Sequence, residues 1–259
     1  MEDAAMDYIS VQEARALPGL RLVLTQGVPG PWGEAAKAIL RARGVPFAAV
    51  GQIAAEENEA LVAWTGVRNA PVAVYNEEAP VTGYRDILML AERLGSGPSL
   101  LPARAKDRFT CLGIASDLCG PLGFGWQVRL LIFGAMFGGS APSDLPPNVQ
   151  ALHRAYGFTP QALSAATQRA ADILRGLDAM LKQSETGYLV GGQVSAADLY
   201  WACFSMMVAP LPADINPMPE QLRGLYASQV PEVVEALTPG LIAHRDRIYA
   251  EHIETPLDF

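Results

Sequence analysis

Every segment of this chain that reads as a β-strand lies before residue 82, and everything after Pro102 reads as helix. Arg21-Leu-Val-Leu-Thr25 has the branched apolar character of a strand, and Gly27-Val-Pro-Gly-Pro31 breaks it. A helix follows from Trp32 to Arg43; Pro31 suits its first turn, and Gly44 suits the left-handed residue beyond its end. Val45 to Val50 reads as a second strand, Ala54 to Trp64 as a second helix, and Val72 to Tyr75 as a third strand. Ala79 to Val81 is placed to pair back across the Asn76-Glu77-Glu78 turn, and a helix from Gly83 to Leu94 closes the unit.

A βαβ start implies a parallel pair joined by a crossover, and this succession is the arrangement of a thioredoxin-like domain. The expected fold is therefore an α/β N-terminal thioredoxin-like domain followed by an all-α C-terminal helical domain. Residues 1–18 read as an N-terminal extension, 19–97 as the first domain, 98–102 as a linker and 103–259 as the helical domain. In the second half Leu163, Ala166, Ala170, Ile173, Leu174, Leu177 and Leu181 keep helical spacing behind Thr159 as N-cap and Pro160 as first helical residue. The sharpest local signal is Val194-Ser-Ala-Ala-Asp-Leu199, in which Ser195 and Asp198 form a capping box and Val194 and Leu199 a hydrophobic staple.

A net charge of −8 with a pI near 4.9 leaves no basic surface to neutralise phosphates, so nucleic acid is excluded as a partner. Cys111, Cys119 and Cys203 are odd in number and lack a CxxC pair, which fits a reducing compartment and argues against a disulfide framework or a zinc site. His153, His244 and His252 are too few for histidine-based metal or triad chemistry and are expected at the surface. No metal is expected. Met1-Glu-Asp3 lacks the basic start and apolar core of a signal peptide, so the expected location is cytoplasmic. The most apolar region, Leu118 to Gly139, is interrupted by Gln127 and Arg129 and by six glycines; it falls short of the ~20-residue apolar span of a membrane helix, and a buried helix pair is expected instead.

Asn69-Ala-Pro-Val-Ala-Val-Tyr75 puts a proline at the mouth of a strand, where it marks an edge, a bulge or a cis bond and leaves the Ala70 backbone unpaired. Together with Tyr188-Leu-Val-Gly-Gly-Gln-Val-Ser-Ala-Ala-Asp198 in the helical half, these pieces resemble the cytosolic glutathione transferase superfamily over about Gly19 to His252. The resemblance implies that Pro71 is cis and that the Ala70 backbone pairs with the cysteinyl part of glutathione, which would be the co-substrate. It also implies that the start of the third helix holds the γ-glutamyl carboxylate. The family usually carries Glu or Gln followed by Ser there, and this chain has Gly83-Tyr84, leaving the amides of Tyr84 and Arg85, the helix dipole and the Arg85 side chain.

The first loop departs further. Where relatives carry Cys or Ser before a proline and an aromatic residue, this chain reads Gly30-Pro31-Trp32-Gly33. Disulfide exchange through a protein thiolate is therefore disfavoured. The remaining candidates for activating the glutathione thiol are the backbone amides of Trp32 and Gly33 beside Gly30, then Thr25 and Gln26 at the strand end. Thr25 serves equally as a plain β-former. Trp32, Phe124, Trp126 and Phe133 either line an apolar substrate pocket or fill helical core, and Arg129 is either an anion contact or a helix-surface charge.

The resemblance thus implies a glutathione-dependent transferase or related eliminase acting on a small hydrophobic electrophile, as a homodimer, with no membrane or nucleic-acid partner. The alternative is a non-catalytic relative that uses the same two-part shell to bind a ligand or a protein.

Overall fold

The structure is a computed structural model that describes residues 6–54, 56–137, 142–227 and 230–259. The first part contains β1 (Tyr8–Ile9), α1 (Val11–Ala16), β2 (Leu20–Thr25), α2 (Pro31–Ala42), β3 (Ala48–Gln52), α3 (Glu59–Thr65), β4 (Val72–Tyr75) and α4 (Tyr84–Leu94). From residue 105 onward the described chain is helical: α5 (Ala105–Cys119), α6 (Phe124–Phe137), α7 (Pro147–Tyr156), α8 (Pro160–Gln183), α9 (Ala196–Ser205), α10 (Glu220–Ala227), α11 (Pro231–Ala236) and α12 (Pro239–His252).

The sheet has the order β1-β3-β2-β4, with the first three strands parallel and β4 antiparallel to β2. Strand alternation divides its side chains between two layers. Leu20, Leu22, Leu24 and Ala73 face the large core that contains Ile39 of α2 and Ile87 of α4. Val23, Val50, Val72 and Val74 face a smaller core with Ala14 of α1 and Leu61 of α3. The large core runs on without a break through α5, α6, α8 and α9, so the two halves share one apolar interior.

Three expectations change on contact with the structure. The segment read as an N-terminal extension enters the fold: Tyr8 and Ile9 pair with Ala49 and Val50, and Ser10 caps α1 through a capping box with Glu13. A two-residue edge strand carries almost no periodicity, which is why its sequence looks like a tail. The second helix begins at Glu59 rather than Ala54, because Asn58 sits in the left-handed region (φ 50°) and its side chain bonds both backbone groups of Ile53, holding a loop. His153 and His244 are buried rather than exposed. His153 stacks on Phe158 at 4.4 Å, and His244 meets the Asp198 carboxylate at 2.9 Å.

The two capped helix starts read from sequence in the second half, at Thr159 and Ser195, are present. Thr159 accepts from the Ala162 amide, and Asp198 closes back on the Ser195 amide (2.9 Å) and hydroxyl (2.7 Å) while also taking the Leu189 amide at 2.7 Å. The apolar stretch around Leu118 forms the paired helices α5 and α6. By length and composition Ala105–Phe137 is sufficient to cross a membrane, but 67% of its most apolar window is buried against the rest of the protein.

Candidate functional site

Strand register brings the candidate positions to one end of the sheet. Val23 of β2 stands opposite Val72 of β4 as the last pair of that antiparallel ladder; β2 runs on two residues to Thr25, and Ala70-Pro71 leads into β4 at the same end. Val81 bridges Ala73 on the other side of β4, two residues before Gly83 and the start of α4. The Ala70-Pro71 peptide is cis, and the Ala70 backbone N–H and C=O have no hydrogen-bond partner among the described residues. The loop after Thr25 leads directly into α2, so the start of that helix lies at the same sheet end. Sheet ends of this kind, at the carboxyl side of parallel strands, are where open α/β folds place ligands.

Gly30 is the N-cap of α2, with extended dihedrals (φ −69°, ψ 128°) and no side-chain cap. Pro31 brings no N–H, and the amides of Trp32 and Gly33 have no acceptor among the described residues. A Cβ added at Gly30 would meet nothing within 4 Å. Thr25 is otherwise engaged: its hydroxyl donates to the Gln52 side chain at 2.8 Å. Gln52, buried at the end of β3, escaped the sequence reading because its role follows from the parallel Thr25–Gln52 register. Gln26 is exposed and its side chain lies over Gly51.

At the start of α4, Gly83 is likewise an uncapped N-cap. The Tyr84 ring turns toward α9, edge-on to Tyr200 at 5.9 Å, and the Tyr84 carbonyl accepts the Tyr200 hydroxyl at 2.8 Å. Tyr84 therefore contributes its amide to the sheet end and its ring to the packing of the two halves. Arg85 is exposed. A carboxylate stands close by: Asp86 Oδ2 lies 3.2 Å from where a Gly83 Cβ would be. An acidic residue in the first helical turn is visible in sequence, and it occupies part of the positive helix end.

Trp32 is largely taken up by the junction between halves. Its indole N–H donates to the Cys119 carbonyl at 2.9 Å, its ring meets Phe204 edge-on at 4.9 Å, and a Cβ at Gly125 would come within 3.1 Å of it. Phe124 and Phe133 are buried core residues. Trp126 is partly exposed, donates to the Tyr156 carbonyl at 3.1 Å and lies 4.5 Å from the Tyr156 ring. Arg129, one turn beyond Gly125, is half-buried between the phenols of Tyr156 and Tyr226. Burial works against its charge, but those two phenols outweigh it and hold its pKa above the ordinary arginine value. Tyr226 is far away in sequence, and no local signal points to it.

The other face of α2 carries charge into the interior. Glu34 and Lys37 pair at 2.9 Å, Lys37 reaches Asp258 at 3.0 Å, and Arg41 holds Asp258 at 2.8 Å. Burial pushes the Glu34 carboxyl up to about 7 in spite of Lys37. Burial would raise Asp258 as well, but its bonds to Arg41 and Lys37 prevail and keep it below the ordinary carboxylate value. Among the described residues no cluster of histidine, cysteine and carboxylate side chains has metal-binding geometry.

A sheet of this order, followed by an all-helical half packed on α2 and α4, is the fold of the glutathione transferases. No protein-family model matches the sequence, and no curated protein matches it significantly. Solved structures do. The β-etherase LigF from Sphingobium superposes with a TM-score of 0.63 at 21% identity, covering 90% of this chain and 96% of its own. A glutathione S-transferase from Methylobacterium radiotolerans, in complex with glutathione sulfonate, superposes with a TM-score of 0.61 at 15% identity, covering 90% and 91%. Human glutathione S-transferase T1-1 gives a TM-score of 0.60 at 18% identity, covering 90% and 83%.

Proposed function

We propose that this protein is a glutathione-dependent transferase or eliminase acting on a hydrophobic electrophile, with the thiolate stabilised by the backbone amides of Trp32 and Gly33. The observation that carries the reading is the convergence of the unpaired Ala70 backbone with the uncapped start of α2 at one sheet end. An extended peptide pairs with Ala70 as an added strand would, and its cysteine sulfur then falls toward the amides of α2. The neighbours that carry glutathione sulfonate or are named as transferases and a β-etherase support the same assignment.

The chemistry asks little of side chains. A thiol of ordinary pKa about 8.5 must be lowered by one or two units to be ionised near neutrality, which takes about 1.4–2.7 kcal/mol of differential interaction. Two fixed amides at a helix N-terminus supply an interaction of that order. The thiolate attacks the electrophilic carbon, the C–S bond forms as the bond to the leaving group breaks, and the rest of the rate comes from holding the partners together. Gly83 and the amides of Tyr84 and Arg85 take the γ-glutamyl carboxylate, and Trp126, with the accessible edge of Trp32, borders the electrophile. The division into 19–97 and 103–259, a homodimer, and a cytoplasmic location suited to three free, buried cysteines belong to the same proposal.

One observation favours a second reading. The Asp86 carboxylate at the start of α4 opposes an anion there, as expected of a relative that has kept the shell for binding another ligand. A calorimetric and thermal-shift titration with glutathione separates the two. Binding at about 100 times the dissociation constant adds ~2.7 kcal/mol of stability. No binding at ~10 mM glutathione, several-fold above any useful affinity, together with no turnover of a generic aryl halide, leaves the non-catalytic reading standing.

A further inference from the structure

We infer that residues 253–259 form a strap on α2 that is locked by a proton on Glu34, closed in acid and freed toward neutral pH. The device is independent of the proposed function and needs no glutathione. After α12 ends at His252, the chain runs against α2. Its hold there is one apolar anchor and a set of charges. Leu257 is buried, and its amide donates to the Ile215 carbonyl at 2.8 Å. Asp258 meets Lys37 through its carboxylate (3.0 Å) and through its backbone carbonyl, and it meets Arg41 at 2.8 Å, while Glu254 reaches Arg41 at 3.2 Å. Between strap and helix lies a cavity of about 130 Å³, lined by Glu34, Lys37 and Arg41 on one side and by Ile253, Glu254 and Leu257 on the other. That volume holds a few water molecules.

Glu34 borders this cavity and is only 5% exposed. Its ion-pair partner among the described residues is Lys37, at 2.9 Å, and Asp258 claims the same ammonium. Two carboxylates thus share one ammonium where water is scarce, and the deeper of the two keeps its proton. Tyr8 of β1, Cys203 of α9 and Tyr249 of α12 also face Glu34, and burial raises all three, so they stay neutral between pH 5 and 8. Arg41, further along α2, stays charged. Burial would raise Asp258 too, but Arg41 and Lys37 keep it below the ordinary carboxylate value, and it stays ionised over the same range. Lifting the strap takes Asp258 off Lys37 and opens the cavity to water. Glu34 then ionises as an ordinary carboxyl, and its proton passes to solvent. A proton bound only in the closed state makes opening easier as the pH rises. With Glu34 at about 7 under the strap and at 4.5 when hydrated, the open population grows about 70-fold between pH 5 and pH 8.

The test is hydrogen exchange of the Leu257 amide in the full-length protein, corrected for its intrinsic rate at each pH, so that protection reports the open population. Protection is expected to fall at least about tenfold, and up to about 70-fold, from pH 5 to pH 8, and to remain lower than that of the β2 amides throughout. Glu34→Gln keeps the shape and an acceptor for Lys37 but takes up no proton, and its Leu257 protection is flat across this range. His252 also borders the cavity, with its ring on the Tyr188 hydroxyl at 3.2 Å, and histidine is a side chain type that changes charge near neutrality; His252→Asn keeps the fall. Wild-type protection that is flat from pH 5 to pH 8, or that equals that of the β2 amides at every pH, overturns the inference. An equal fall in Glu34→Gln does so too, as does its loss in His252→Asn. Should Glu34→Gln not fold, the NMR titration of the Glu34 carboxyl carbon in the wild-type protein decides. Its midpoint must coincide with the pH, about 7, at which the fall in protection levels off, and a midpoint at 4.5 overturns the strap lock.

Discussion

Replacing Gly30 by serine restores a hydroxyl to the start of α2 and tests where the sulfur sits. The backbone there (φ −69°, ψ 128°) is open to any residue, and an added Cβ meets no atom within 4 Å, so Gly30→Ser introduces no strain. The serine proton is free to point at the ligand, adding a donor to the amides of Trp32 and Gly33. Reduced freedom of the unfolded chain adds about 0.4–1 kcal/mol of stability. A hydrogen bond to a charged sulfur is worth about 1.5–3 kcal/mol, or roughly one to two pKa units. The bound glutathione thiol, titrated by the ultraviolet absorbance of its thiolate, is expected at about 6.5–7.5 in the wild-type protein and about one to two units lower in Gly30→Ser. Gly30→Ala, which adds the Cβ without the hydroxyl, leaves the thiol at its wild-type value. A wild-type bound thiol that titrates near 8.5 refutes the amide mechanism, and a Gly30→Ser thiol equal to the wild-type one refutes the placement of sulfur at α2.

Trp32→Phe keeps the ring contact with Phe204 but strands the Cys119 carbonyl, and denaturant unfolding should register a loss of about 1–3 kcal/mol. Asp86→Asn removes the carboxylate from the α4 N-terminus and should tighten glutathione about two- to fivefold by calorimetry, from a helix-end interaction of 0.3–1 kcal/mol; an unchanged affinity means that the γ-glutamyl group docks elsewhere. Asp198→Ala leaves the Leu189 and Ser195 amides and His244 without their acceptor and should cost about 3 kcal/mol or more, against about 1 kcal/mol for Ser195→Ala. Glu34, raised from 4.5 to about 7, favours its neutral form in the folded protein. Its contribution to stability is therefore present below pH 4.5 and is lost as the pH rises to about 7, so Glu34→Gln should flatten that part of the stability profile. The lowered Asp258 acts in the opposite sense, and its contribution disappears as the pH falls below 3.8 and through its folded value.

The parts of this fold legible in sequence are those fixed by local chemistry. Strand β4 and the starts of α4, α8 and α9 announce themselves through proline, glycine and hydroxyl or carboxylate caps, each of which acts within four residues. What could not be read depends on register or on distance. Tyr8–Ile9 is a strand only because β3 offers an edge to pair with, and Gln52 holds Thr25 only because the two strands run parallel in one register. Asp258 meets Lys37, and Tyr226 meets Arg129, across separations that no window of sequence spans. Aromatic residues were ambiguous for a different reason. Trp32 and Trp126 satisfy a pocket and a packing role by the same composition, and only their indole donors, aimed at the Cys119 and Tyr156 carbonyls, reveal the packing share.

The glycine that deprives this site of a side-chain donor also leaves its backbone donors uncovered. A serine, threonine or aspartate N-cap consumes one of the first amides of its helix; Gly30 consumes none, and the amides of Trp32 and Gly33 have no acceptor among the described residues. Their value depends on not moving. α2 is held from its first turn by the Trp32 indole on Cys119, along its length by Leu40 and Ile39 in the core, and from its far face by Glu34, Lys37 and Arg41 gathered on the chain terminus at Asp258. Donors so fixed need no reorganisation when charge develops on sulfur, which is the condition under which backbone amides rival a hydroxyl. Under the proposed function, the buried charges of α2, costly in themselves, would serve to orient the helix end at which the thiolate forms.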